Sequence, residues 1–286
     1  MPLPPTPMVL EALRETVGPP FAVGVVVLFA SRLVFGKKSI PFAALVGFVA
    51  AFAVGNLTSQ FNSDWWPSTA RASWLPWLAI AGAVAGLVAR RWVLAGAALW
   101  AAAAAMAVVR ILAKEYHTAP TWAVPAFVLL PAAVGFGLMK LDAKRPGFAV
   151  PFLMGCALMS AGTVAIHAHS KSLLDAATLG GMCLFGFAVV AAFGGLETGS
   201  VLPGTAILLT GTAFASFHET FAEIPTAAFV LPAAAPLFAL IGHVPAVDRL
   251  CPKRRLAIVL LPALVAMAVG VALAMQAAPL TFDDPI

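Results

Sequence analysis

Charge is scarce in this chain. Only 10% of its 286 residues are charged and 62% are hydrophobic, where a soluble domain carries about 25% charged residues. That shortage excludes a soluble globular domain and makes lipid the expected solvent. Cysteine is nearly missing: Cys156 and Cys183 lie in apolar runs, Cys251 lies in a connection, and there is no C-x-x-C. A disulfide framework, a zinc ribbon and covalently attached haem are thereby excluded. Strands of alternating apolar and polar residues are also missing, which argues against a membrane barrel.

Motifs for known chemistry are equally sparse. His218-Glu219 starts like H-E-x-x-H, but position 222 is Ala, so the second zinc ligand is missing. There is no Walker A loop, no G-x-S-x-G elbow and no dinucleotide fingerprint. No lysine lies mid-span to form a Schiff base. These gaps make an enzyme the least expected class and leave any cofactor or metal unknown.

The chain has instead continuous apolar runs of about twenty residues, the length a helix needs to cross a hydrocarbon core of roughly 30 Å. In lipid each backbone polar group must be paired within the chain, so such runs are helical. The expected fold is an all-α integral membrane protein of about ten transmembrane helices in one bundle. The spans are expected near 20–36, 39–56, 74–89, 92–110, 122–139, 148–167, 173–194, 200–217, 225–243 and 255–275. Residues 1–18 read as an N-terminal interfacial segment, not a signal peptide, since its one basic residue, Arg14, lies between Glu11 and Glu15. Residues 19–276 form the membrane domain and 277–286 a short acidic tail.

The net charge of +5 sets orientation and does not point to nucleic acid. Connections after odd-numbered spans hold Arg32, Lys37, Lys38, Arg90, Arg91, Lys140, Lys144, Arg145, Arg249, Lys253, Arg254 and Arg255. The other side holds Arg14, Arg71, Arg110, Lys114 and Lys171. The excess places the first side in the cytoplasm of a plasma (inner) membrane, with both termini outside. Trp65, Trp66, Trp74, Trp77 and Trp122 then fall at the outer interface and Trp92 at the inner one, as an aromatic belt does.

Spans four and five resemble spans eight and nine. Val93-Leu94-Ala95-Gly96-Ala97 parallels Val201-Leu202-Pro203-Gly204-Thr205, and Phe127–Ala133 parallels Phe229–Ala234. An offset of four helices implies a parallel repeat. Pro125, Pro131, Pro232 and Pro236 are expected to kink spans five and nine. Gly82-x-x-x-Gly86 and the run Ala101–Ala105 are expected to let helices approach closely.

Polar side chains avoid lipid and turn inward. Cys156, Ser160, Thr163 and His167 share one face of span six; Thr205, Thr212, Ser216 and Glu219 share one face of span eight, with Glu223 a turn beyond. Both stripes climb to the outer end, where His218 also lies. Imidazole and carboxylate together can bind a metal or pass a proton. Ser160, Thr163, His167, Thr212, Ser216, His218, Glu219 and Glu223 are therefore the candidate pathway for a substrate or ion. Membrane-helix hydroxyls also bond their own preceding carbonyls, which would make the same stripes structural.

Two function classes follow: a small permease or ion-coupled carrier for an unidentified small molecule or ion, and a non-catalytic scaffold or subunit of a larger membrane assembly. The lipid bilayer is the expected partner, with a second membrane protein or copy of this chain in the scaffold case. In length and span number the chain resembles drug/metabolite permeases, which have inverted five-helix halves and termini inside; the charge count and the repeat both differ. Glu219-x-x-x-Glu223 with Pro203-Gly204 resembles part of the lipid-pyrophosphate phosphatase pattern, but the serine-arginine motif of that family is absent.

Overall fold

With lipid outside, a backbone N–H finds its acceptor most readily one turn back in the same segment, and each apolar run is helical in the computed structural model. The structure describes residues 17–58, 71–112, 123–220 and 223–279, and these contain no strand. Residues 1–16 of the expected interfacial segment, Trp65, Trp66, Trp122 and the acidic tail beyond residue 279 lie outside the described residues.

In chain order the helices are α1 (Gly18–Phe35), α2 (Ile40–Thr58), α3 (Arg71–Ala89) and α4 (Val93–Ala107), the last continued by a π turn, Val108–Leu112. Then come α5 (Ala123–Lys144), α6 (Ala149–His167), α7 (Lys171–Gly194) and α8 (Leu202–Glu219), which is led in by a 3-10 turn at Gly199–Val201. Next are α9 (Thr226–Ala234), continued as a 3-10 segment Ala235–His243, the short α10 (Pro245–Asp248), and α11 (Pro252–Ala277). Eight of these segments are long and apolar enough to cross a membrane, which makes the chain a multi-pass membrane protein. Two more apolar helices, Ile40–Gly55 and Ser73–Ala89, fill the second and third expected places but are shorter.

Helix α8 is the hub. Its apolar window is 89% buried, against 17% for α1 and 28% for α11. It packs on α3, α5, α6, α7 and α9, while α1 and α2 lie beyond it against α7, and α11 lies against α6 and α9. Small residues permit this crowding. A Cβ on Gly204 would sit 2.0 Å from the Ala79 carbonyl oxygen, one on Gly86 2.2 Å from the Ser200 oxygen, and one on Gly135 2.6 Å from Pro203 Cα. Gly82-x-x-x-Gly86 is thus the face on which α3 crosses the start of α8, as small-residue packing requires.

Side-chain contacts join the connections end by end. Arg90 after α3 pairs with Glu197 after α7, and Lys144 and Arg145 at the end of α5 pair with Asp248 of the short α10 that follows α9. Ser200 Oγ donates to the Pro41 carbonyl at 2.7 Å, which brings in the connection after α1. All five connections after odd-numbered helices therefore meet at one end, here called the basic end. At the opposite end the Arg110 guanidinium lies 4.4 Å from the Trp74 ring centre, and His167 meets the end of α11.

Three details add to the sequence expectation. Helix α5 runs to Lys144, past the expected limit of 139, because no breaker occurs before Pro146-Gly147. It also stays helical through Pro131, whereas α9 changes to 3-10 after Ala234, with Pro236 in the first turn of the new segment. The two segments of the expected repeat have unlike surroundings: Val93 and Leu94 are 71% and 86% exposed, while Val201 and Leu202 are fully buried.

Candidate functional site

The basic end of α8 gathers the polar groups that the core holds most tightly. Because α5 continues to Lys144, Asp142 is carried into the bundle and is fully buried. Its Oδ2 accepts the Thr198 backbone N–H at 2.7 Å, and the Gly199 amide also bonds the carboxylate. These amides open the 3-10 turn that leads into α8, so the carboxylate meets the positive end of the helix and satisfies donors that would otherwise be orphans. Gly199 leaves the room needed, since a Cβ there would lie 3.2 Å from both Asp142 Cβ and Oδ2.

The second oxygen has no such support. Asp142 Oδ1 is buried with no hydrogen-bond partner among the described residues, as is the hydroxyl of Thr198, which is itself fully buried. Glu197 next door is engaged elsewhere, gripped on both oxygens by Arg90, with Nη2 to Oε2 at 3.0 Å. Beside this pair a cleft of about 430 Å³ opens between α4 and α5, lined by Arg90, Lys140 and Glu197 at its polar side and by Val93, Ala97 and Phe136 among its apolar walls. Further round the same end, Lys144 reaches Asp248 Oδ2 at 2.7 Å and Arg145 reaches Oδ1. Their hydrogen bonds, with their charges behind them, hold the Asp248 carboxyl below its usual range.

No protein-family model matches the chain, and no curated protein matches it.

At the opposite end the stripe residues have individual placements. Helices α6 and α8 are packed neighbours. On α8, Thr205 Oγ1 donates to the Leu202 carbonyl at 3.0 Å and Ser216 Oγ to the Thr212 carbonyl at 2.7 Å. Thr212 is fully buried and its hydroxyl has no partner among the described residues. On α6, Ser160 and Thr163 are half-buried, and Thr163 Oγ1 donates to the Met159 carbonyl at 2.9 Å. His167 is buried, with Nδ1 2.6 Å from the Ala278 carbonyl oxygen, so it ties α6 to the end of α11. His218 is half-buried, its ring 5.2 Å from that of Phe217. Glu219 ends α8, and its side chain lies outside what the structure describes. Glu223 is exposed while Ile224 beside it is buried with Val164, Ala168, Phe229 and Ala274, an apolar plug between α6, α9 and α11.

Among the described residues no three His, Cys, Asp or Glu side chains converge to hold a metal. Several stripe hydroxyls are spent on their own helices, the pattern of membrane-helix Ser and Thr that tunes packing. Asp142 and Thr198 escaped the sequence reading because Asp-Ala-Lys-Arg looked like a loop. Two signals could have found them: the lack of a breaker before Pro146, and Thr198-Gly199-Ser200 placed where a helix begins.

Proposed function

We propose that the chain is a small ion-coupled permease of the plasma membrane, with Asp142 as its coupling carboxylate. One observation carries the reading: a fully buried carboxylate inside a membrane bundle, one oxygen held by helix-start amides and the other without a partner among the described residues. An ionised carboxylate is costly in a low-dielectric interior unless it is paired or takes up a proton, and ionisable residues within membrane bundles often mark ion pathways. In this reading ten helices cross, the basic end faces the cytoplasm and both termini lie outside. The pathway follows α8 from Asp142 and Thr198 past Thr212 and Ser216 to His218, Glu219 and Glu223, with Ser160, Thr163 and His167 on α6 at its flank. The likeness of α4–α5 to α8–α9 stays part of the proposal as a parallel duplication.

Infrared difference spectra of the purified protein, recorded across a pH step and across a sodium step, test the assignment. The expected result is a carboxyl band in the wild type that Asp142→Asn removes. A band that survives the substitution, or no band in the wild type under either step, would remove the coupling role.

The self-bonded hydroxyls of Thr163, Thr205 and Ser216 favour a second reading, a non-catalytic scaffold or subunit. Stoichiometric co-purification of another membrane protein, together with unaltered behaviour of Asp142→Asn, would select it.

A further inference from the structure

The cleft between α4 and α5 is independent of the Asp142 reading. It opens at the basic end, and α4 packs chiefly on α3, leaving its flank toward α5 only lightly covered. Deeper in, Trp100 of α4 meets Phe136 of α5 edge to face, ring centres 5.8 Å apart. From Val93 to Trp100 is two helical turns, so the cleft is about 10 Å deep before the helices close. Trp100 is 5% exposed and its indole N–H has no partner among the described residues.

Its chemistry is two-zoned. Val93, Ala97 and Phe136 give apolar walls that continue into the span, while Arg90 and Lys140 stand at the mouth. Glu197 neutralises Arg90 through its two-oxygen grip. Lys140 is exposed, carries no resolved ion pair among the described residues, and leaves the mouth with a net positive charge. Arg91, next to Arg90 in the chain, is not among the lining residues and has its guanidinium 5.6 Å from the centre of the Trp92 ring.

We infer that this cleft is a binding site for one anionic phospholipid, its phosphate at Lys140 and the upper part of an acyl chain against Val93, Ala97 and Phe136. Charge complementarity selects the headgroup, since basic pockets between membrane helices hold anionic lipids. The apolar walls select a lipid over a free anion, which would gain nothing from them. A zwitterionic lipid would set its ammonium against the same cations.

Native mass spectrometry of the full chain, titrated with phosphatidylglycerol or with phosphatidylcholine of the same acyl chains, tests the site. The expected result is a single tight phosphatidylglycerol, with affinity lowered about fivefold in Lys140→Ala, the effect of one near-surface cation. Val93→Trp fills the cleft from a 71% exposed position without touching a charge, and is expected to lower the affinity at least as much. Inorganic phosphate in excess should not displace the lipid. Equal binding of the two lipids, unchanged binding in either variant, or displacement by phosphate would overturn the inference.

Discussion

Asp142 shows how one side chain can serve both structure and chemistry. As an acceptor it closes the N–H groups at Thr198 and Gly199, a task that an amide oxygen can share. Asp142→Asn is therefore expected to fold, whereas Asp142→Ala leaves buried donors bare and should cost about 1–3 kcal/mol. Thermal unfolding of the two variants in the same detergent checks the difference; equal losses would mean the carboxylate is not the cap. Asp248 behaves differently because it is exposed. Lys144 and Arg145 lower its folded pKa, so the ion pairs contribute above its unfolded value and the contribution disappears as pH falls through the folded one. Asp248→Asn should flatten that acid-side loss of stability in a pH series of melting curves and leave the shape of the series unchanged near neutrality.

At the scale of the helix, the crossing of α3 over α8 carries the architecture. The Gly204 Cα faces backbone atoms of α3, with nothing flexible to yield: an added Cβ meets the Ala79 oxygen and, at 2.6 Å, the Ala83 nitrogen. Gly204→Ala should then destabilise the protein by about 1–3 kcal/mol, the usual cost of overpacking. Gly147→Ala, with open space around it, should be silent in the same unfolding assay. Gly82-x-x-x-Gly86 was readable as a packing face because only small residues allow such contact. The partner was not readable, since Gly204 lies more than a hundred residues away and nothing local links them. Span ends were less legible for a related reason. Apolar runs show where lipid is, but α5 continues beyond its apolar run into Asp142 and Lys144 as long as its backbone bonds continue. Pro131 and Pro232 both sit inside helices, and the change to 3-10 turns comes only after Ala234, where Pro236 falls in the first turn of the new segment.

For the whole molecule, the charge count grouped the connections after odd-numbered spans, and the ion pairs Arg90–Glu197, Lys144–Asp248 and Arg145–Asp248 each join two connections of that group. The site was less so. Residue types at helical spacing identified the stripe of α8, but they could not tell which hydroxyls would bond their own helix, nor that a carboxylate from α5 would reach its foot. Orientation has a simple reporter in Cys251, which is exposed at the basic end while Cys183 is buried. An impermeant maleimide should label Cys251 in inverted vesicles and not in intact cells; labelling from outside would reverse the orientation. Ion coupling itself is tested most directly by charge displacement in proteoliposomes on a solid-supported membrane, after a proton or sodium step. The wild type should give a transient current that Asp142→Asn abolishes while remaining folded. A current that persists in Asp142→Asn, or a wild type that moves no charge under either step, would contradict the assignment.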